Sequence, residues 1–243
     1  MQQSALKRVS INIVMKLKRA FTLTELLVVI SIIALLLAIL LPSLSKARLQ
    51  AKIVVVNAEL ADIGLALETY ATDNQGLYPP TRIDCNIDTR QYMYALPQEL
   101  VIKGYMPGAK TGQITYSKVE DKFNPGFAYK YIAVGQRYDY HGASMNKQPL
   151  YIAKGFPDSE EINIPEPGEP KYLCYKDPKT SPVTWILFSY GPRFDEDNLS
   201  KIDEDNGFPV AKNFWYSPKT KIGIITRVRL KDTLQHIGTF KGD

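Results

Sequence analysis

The chain has 243 residues and a formal net charge of +5, but five basic residues in positions 1–20 account for that whole excess. Residues 21–243 carry equal numbers of basic and acidic side chains, so charge-driven binding of nucleic acid is not expected. There is no Walker A loop, dinucleotide-binding loop or G-x-S-x-G motif, and neither of the two histidines lies beside a nucleophile motif. We therefore expect a protein that is not an enzyme.

The first element is a basic leader, residues 1–20, followed by an apolar run over residues 21–41. As a helix, these 21 residues would span about 31 Å, enough to cross a bilayer core of roughly 30 Å. The positive flank predicts a cytoplasmic N-terminus, a single pass through the inner membrane and an extracytoplasmic remainder. A cleaved secretory signal is the competing interpretation, but the run is too long for its apolar region, and no clear Ala-x-Ala site precedes Pro42.

One carboxylate, Glu25, lies inside the apolar run near its start. A charged side chain at a bilayer centre costs roughly 2.5–3.5 kcal/mol, so the presence of Glu25 in the run indicates a functional role. A cut before Phe21 would create an amine one helical turn from Glu25, and opposite charges attract strongly in a low dielectric. The alternative is a carboxylate at the membrane edge that snorkels to water.

An apolar stripe continues the pattern beyond the run, at steps of mostly three and four residues. Its members are Leu49, Ile53, Val56, Leu60, Ile63, Leu67 and Tyr70. This spacing predicts one face of a helix, and the DNQG sequence at residues 73–76 predicts its end. We therefore expect one helix of roughly 50 residues from Phe21 to about Thr72. Pro42 predicts a kink or local unwinding, because proline lacks an amide hydrogen and clashes with the preceding turn.

The remaining residues, 77–243, are rich in tyrosine, proline and glycine and predict short strands. We expect strands at residues 127–134, 149–153, 184–190 and 222–228, a short helix at 91–104 and a surface loop at 158–170. A long helix packed on an antiparallel sheet is an α+β fold. The predicted organisation is a leader (1–20), a transmembrane half-helix (21–42), a soluble amphipathic half-helix (43–76) and an extracytoplasmic globular domain (77–243).

The segment from Ala20 to Glu25, the apolar run and Pro42 together resemble the type III signal of the type IV pilin superfamily. This resemblance implies that a prepilin peptidase cuts between Ala20 and Phe21 and methylates the new amine of Phe21. It also implies that Glu25 registers an incoming subunit against the amine of its neighbour. Two positions depart from the family pattern: Ala20 replaces the usual glycine, and Thr24 replaces a common isoleucine. A start at Met15 would leave a six-residue leader, closer to the short leaders of the family.

Within the superfamily, the soluble part is most similar to the major pseudopilin of type II secretion. Residues 66–80, reading ALETYATDNQGLYPP, carry this resemblance, with looser matches at 187–192 and 215–220. It implies a pilin-like fold and a filament of like and unlike pseudopilins, built by an inner-membrane platform protein and an assembly ATPase to drive protein export. Two alternatives stay open: a type IV pilin for adhesion, motility or DNA uptake, and a signal-anchored extracytoplasmic binding protein or enzyme.

Two further groups of side chains are candidate sites. The acidic sequence DEDN occurs at residues 195–198 and again at 203–206, and clustered carboxylates suit calcium. The pseudopilin resemblance implies calcium in this loop, which makes Asp195, Asp197, Asp203 and Asp205 candidate ligands; a solvated acidic loop is the alternative. Cys85 and Cys174 would form one disulfide in an oxidising periplasm or remain two buried thiols.

Overall fold

The computed structural model describes residues 21–83, 95–111, 114–135, 137–139, 144–145, 150–152, 173–175, 179, 181–192, 212–231 and 236–241. The chain divides into two compact units, Met1–Ala47 and Arg48–Asp243. The described residues contain one long helix, one short helix and eleven strands. The long N-terminal helix and the C-terminal antiparallel sheet make an α+β, pilin-like architecture, which confirms the predicted fold class.

Helix α1 spans Leu23–Asp73, 51 residues, and Pro42 lies inside it. The predicted limits, Phe21 and about Thr72, agree to within two residues. The helix ends because the chain turns into the left-handed region, with φ +59° at Gln75 and φ +79° at Gly76. The Gly76 amide then donates to the Ala71 carbonyl at 2.8 Å, which satisfies one of the carbonyls that a helix end leaves open.

Short strands and one short helix follow. The bounds are β1 Thr81–Ile83, α2 Gln98–Ile102, β2 Gly108–Thr111, β3 Ile114–Ser117, β4 Lys130–Ala133, β5 Arg137–Asp139, β6 Ser144–Met145, β7 Leu150–Ile152, β8 Leu173–Tyr175, β9 Val183–Ser189, β10 Ile225–Leu230 and β11 His236–Gly238. Single 3-10 turns lie at Lys212–Phe214 and Thr239–Lys241. Four of the strands form the main sheet in the order β11-β10-β9-β4, with every neighbouring pair antiparallel.

Smaller sheets complete the strand pairing. Strands β1, β5 and β6 form one sheet in which β1 and β5 run parallel, and the pairs β2–β3 and β7–β8 are antiparallel. Strand β1 is also tied to β4 by a side chain. The Thr81 hydroxyl accepts from the Ala133 amide at 2.8 Å and donates to the Ala133 carbonyl at 3.0 Å. This buried hydroxyl therefore meets the hydrogen-bonding needs of a backbone position at the end of β4.

One face of the main sheet packs on the soluble part of α1. Alternate residues of β9 point to opposite faces, so Trp185 and Leu187 share a core with the helix while Ile186 and Phe188 lie in a second core. The helix contributes the predicted stripe: Ile53, Val56, Leu60, Ile63 and Leu67 are buried, and Leu49 and Tyr70 pack beside them. Burying a leucine or isoleucine side chain contributes about 1.5–3 kcal/mol, so this stripe supplies much of the attachment of helix to sheet.

Four predicted strands coincide with observed ones: β4, β7, β9 and β10 lie within or overlap the expected segments. The predicted helix at 91–104 is wrong in extent, because α2 begins only at Gln98. Pro97 has extended backbone angles, and a proline disfavours helical geometry in the residue before it. Ala95 instead bridges to Arg82. The expected loop at 158–170 lies outside the described residues.

Candidate functional site

A reciprocal pair of side chains caps the N-terminus of α1. The Thr22 hydroxyl oxygen accepts from the Glu25 amide at 3.2 Å, and Glu25 Oε2 accepts from the Thr22 amide at 2.9 Å. The Thr22 hydroxyl also donates to Glu25 Oε2 at 2.8 Å. This is a capping box, which satisfies two of the amides that a helix start leaves open. The T-x-x-E pattern that encodes it was readable in the sequence, but the interpretation of Glu25 did not use it.

The capping box leaves half of the Glu25 carboxylate available. Both donors reach Oε2, and Oε1 makes no hydrogen bond within the part of the chain that the structure describes. A carboxylate needs more than two donors to compensate for the loss of water, so Oε1 can accept a further donor. Glu25 is therefore held at a fixed place on the helix with one oxygen open to an external amine.

The first part of α1 is apolar on all sides. Every large side chain from Leu23 to Leu41 is exposed, and the helix is long and apolar enough to cross a membrane. Two serine hydroxyls in and just after this stretch bond to the helix backbone: Ser31 donates to the Leu27 carbonyl at 2.8 Å and Ser45 to the Leu41 carbonyl at 3.0 Å. Polar groups inside a membrane need such hydrogen bonds within the protein, because the membrane interior offers no water as a partner. A kink at Pro42 stays a prediction.

Carboxylates along the soluble part of α1 bind the sheet domain. Glu68 accepts from three groups: Arg229 Nε at 2.9 Å, Trp185 Nε1 at 3.2 Å and the Tyr78 hydroxyl at 2.7 Å. Arg229 is buried in β10, so Glu68 supplies the opposite charge that a buried guanidinium requires. Trp185 is fully buried in β9. One helix residue thus fixes two sheet strands and the loop that follows the helix.

Two more carboxylates of α1 repeat the pattern with tyrosines. Glu59 accepts from the Tyr129 hydroxyl and pairs with Lys122 at 2.9 Å, and Asp73 accepts from the Tyr105 hydroxyl at 2.5 Å. We call Glu59, Glu68 and Asp73, with their partners Tyr129, Tyr78 and Tyr105, the tyrosine–carboxylate seam. Burial, and then the hydrogen bond to Glu68, raises the pKa of Tyr78 to about 12. Burial and Glu59 likewise raise the pKa of Tyr129.

The opposite face of the soluble helix is exposed and mostly apolar, with one carboxylate, Asp62, in its middle. Val54, Val55 and Leu65 are 66%, 43% and 68% exposed. Exposed alanines at 51 and 58 lie on the same side of the helix, at steps of three and four residues. This face has the composition of a helix–helix contact surface, because small and branched apolar side chains allow close approach.

Most of the other candidate residues lie outside the described part of the chain. This applies to Ala20, to the acidic residues Asp195, Asp197, Asp203 and Asp205, and to Cys85. Cys174 lies in β8, so its pairing with Cys85 stays a prediction. His236 lies in β11 against the Trp185 ring, with 5.4 Å between ring centres. Burial and the neighbouring Arg227 and Arg229 lower the pKa of His236.

Comparison with known proteins bears on the N-terminal segment. The family model described as the prokaryotic N-terminal methylation motif matches residues 15–41. The type IV wide pilus major component PilA4 of Thermus thermophilus is 48% identical over 60 residues, which are 25% of this chain and 46% of that protein. The chain thus spans slightly less than half the length of this curated relative. No solved structure matches the chain.

The chain therefore carries a prepilin N-methylation motif and is similar in part to a type IV pilin. This similarity favours the type IV pilin alternative over the interpretation as a type II secretion pseudopilin, which no comparison supports. A pilus component is a structural protein, and the similarity agrees with the expectation that the chain is not an enzyme.

Proposed function

We propose that this chain is a structural subunit of a type IV pilus-like filament, held in the membrane by the first part of α1 before assembly. The observation that carries the proposal is Glu25: a carboxylate fixed by a capping box, half satisfied, at the start of a membrane-length apolar helix. A lone carboxylate in this setting is costly, and an amine from a neighbouring subunit would offset that cost.

Processing supplies that amine. The methylation motif implies a prepilin peptidase, and we place the cut between Ala20 and Phe21, with N-methylation of Phe21. The cut also removes the basic leader, so that the N-terminus of α1 no longer carries five positive charges on the cytoplasmic side. Phe21 then presents a single positive amine, and Glu25 of an incoming subunit pairs with it to set the register of the filament.

The helix surface supplies the rest of the contact between subunits. Among the described residues, the apolar first part of α1 and the exposed face at Val54, Val55 and Leu65 would gain from burial by other copies. If the helix and the sheet domain of one subunit meet different surfaces of the next, the contact is heterologous and does not close, and repeated contacts of this kind generate a filament. Assembly would use an inner-membrane platform protein and an ATPase.

A pseudopilin of type II secretion is the second candidate. The observation in its favour is the sequence of residues 66–80, where α1 ends in a DNQG turn before a Tyr-Pro pair. The two candidates share the processing step, the membrane helix and Glu25. They differ in the product: a pilus extends from the cell surface, whereas a pseudopilus supports export of a secreted protein. Deletion of the gene therefore separates them, by loss of surface filaments or by loss of an exported protein.

The first test is the mass of the chain extracted from membranes that contain a prepilin peptidase. We expect a mature N-terminus at methylated Phe21, whereas a retained leader would support the signal-anchored alternative.

The second test is Glu25→Ala, which we expect to insert into the membrane normally but to assemble no filaments. Thr22→Val is the matched control, because it removes the hydroxyl half of the capping box, at a cost of about 1 kcal/mol, but keeps the Glu25 carboxylate and its charge. Filaments from Glu25→Ala at the wild-type level, or equal loss in Thr22→Val, would contradict the assembly role.

A further inference from the structure

The exposed face of the soluble part of α1 carries a stripe of its own, on the other side from the stripe that packs on the sheet. Its members recur at alternating steps of three and four residues: Arg48, Ala51, Val55, Ala58, Asp62, Leu65 and Thr69. All of them are exposed, and we call this set the outer stripe. A seven-residue repeat of this kind forms the seam between packed parallel helices, so the outer stripe has the spacing of a helix–helix contact.

Most members of the outer stripe present apolar surface. Val55 is 43% exposed and Leu65 is 68% exposed, and Ala51 and Ala58 add the apolar surface between and beside them. The Thr69 hydroxyl donates to the Leu65 carbonyl at 2.8 Å, so its hydrogen-bonding need is met within the helix. Burial of this surface against an apolar partner would therefore be favourable.

Arg48 and Asp62 are the two charged members of the outer stripe. Neither forms an ion pair or a side-chain hydrogen bond with any residue that the structure describes. They lie fourteen residues apart, about four turns or about 21 Å, so they cannot pair within one helix. A partner that covers the apolar members would also remove water from Asp62, and a carboxylate that loses water requires a positive charge beside it.

We propose that the outer stripe of one copy packs in parallel on the outer stripe of a second copy, with the two helices staggered by fourteen residues. Fourteen residues are two full repeats of seven, so this stagger keeps apolar members of the two stripes in contact. It also places Asp62 of one copy beside Arg48 of the other, which supplies the charge that Asp62 needs. The inference rests on the proposed function, because two chains held in one membrane by their N-terminal helices run in the same direction.

Other alignments of two outer stripes do not pair the charges. In register, Asp62 would face Asp62 and Arg48 would face Arg48, which is repulsive, and a stagger of seven residues would place both beside Val55. An antiparallel pair centred on Val55 would join Arg48 to Asp62, but its chains would have to enter the membrane from opposite sides. The neighbour in this contact differs from the one whose amine meets Glu25, since Phe21 and Glu25 are only four residues apart.

The test uses the full chain in membranes, co-expressed as two copies with different affinity tags, one of which carries a photo-crosslinking amino acid at Val55. We expect an adduct that contains both tags and maps within one helical turn of Thr69 of the other copy. Asp62→Arg in both copies, or Arg48→Asp in both, should lower the adduct yield about tenfold or more, because like charges then meet. The two substitutions combined in one chain should restore the yield. Lys118→Glu, at an exposed lysine outside α1, is the control that should leave it unchanged.

Other outcomes overturn the inference. An adduct at Val55 of the other copy would indicate helices in register or antiparallel, an adduct at Asp62 would indicate a stagger of seven residues, and an adduct with a different protein would identify another partner. No adduct would mean that the stripes do not meet, and a combined variant that fails to restore the yield would remove the ion pair as the cause. Filaments are scored in the same cells: filaments without the adduct would contradict only the stripe contact, whereas the adduct without filaments would contradict only the proposed function.

Discussion

Single residues decide how the long helix is held. Glu68 is the strongest case, because its carboxylate compensates buried Arg229 and also receives the indole of Trp185 and the hydroxyl of Tyr78. The side chain of Glu68 is 31% exposed and that of Arg229 is 8% exposed. The Arg229 guanidinium is thus the charge that water cannot reach in the folded chain, and it relies on Glu68 as its counter-charge.

Glu68→Ala should therefore lower the free energy of unfolding by about 2–4 kcal/mol, because it leaves a buried guanidinium and a buried indole N–H without their acceptor. Denaturant unfolding of the detergent-solubilised chain, followed by tryptophan fluorescence, measures the change. Asp62→Ala is the matched control on an exposed position of the same helix and should change the free energy by less than about 0.5 kcal/mol. Equal effects of the two substitutions would mean that Glu68 has no special role.

Tyr78 makes the same contact sensitive to alkaline pH. Its pKa is about 12 in the folded chain, whereas an unfolded tyrosine has a pKa of about 10. Between these two values the unfolded chain loses a proton that the folded chain keeps, so the free energy of unfolding falls as the pH rises. Below the unfolded pKa this contribution is fully present. We expect Tyr78→Phe to lose less stability across this window than the wild type, and parallel profiles would contradict the role of Tyr78.

At the scale of elements, the contact between α1 and the main sheet is close at one point. Gly64 lies against the fully buried Trp185, and a Cβ atom added to Gly64 would be 3.1 Å from Cη2 of the indole. The indole cannot shift easily, because its N–H is bound to Glu68 and its ring is enclosed by the core. The helix therefore approaches β9 at a position where only glycine fits without displacement.

Gly64→Val should lower the melting temperature, because the added methyl groups overpack this contact at a cost of about 1–3 kcal/mol. Thermal unfolding of the solubilised chain measures the shift. Ala58→Val is the control, since Ala58 is exposed on the opposite side of the same helix. A Gly64→Val variant as stable as this control would show that the helix can move away from the sheet without loss.

At the scale of the whole molecule, the proposed function depends on surfaces that a single chain leaves uncovered. The apolar first part of α1 and the face at Val54, Val55 and Leu65 are exposed in the single chain, and the proposed function would bury them between copies. The tyrosine–carboxylate seam has the complementary role, because it holds the soluble part of α1 on its own sheet domain. Under the proposed function, this seam would keep the sheet domain folded when a subunit passes from the membrane into the filament.

The acidic residues Asp195, Asp197, Asp203 and Asp205 remain a proposed calcium site, in a segment outside the described residues. If they bind calcium, millimolar calcium should raise the melting temperature of the chain, since a ligand that binds only the folded state stabilises it. A chelator should reverse the shift, and Asp203→Asn with Asp205→Asn should abolish it. The absence of any shift at saturating calcium would leave the solvated-loop interpretation.

The local sequence pattern was enough to predict the structure of the N-terminal third of the chain. Helix α1, its end near residue 73 and its buried stripe followed from spacing and turn residues, because a helix is specified by neighbours three and four positions apart. The capping box at Thr22 and Glu25 was equally local. The helix at 91–104 was predicted too long, because its apolar pattern was weighed above the effect of Pro97 on the residues before it.

The sequence by itself thus determined the membrane-length helix, the processing motif, the α+β class and the stripe that packs on the sheet. The tertiary structure alone decided the strand order β11-β10-β9-β4 and the partners of Glu68, which lie 117 and 161 residues away in Trp185 and Arg229. The physical reason is that such pairings are selected by burial. A carboxylate and a guanidinium far apart in the chain become partners only when folding removes water from both.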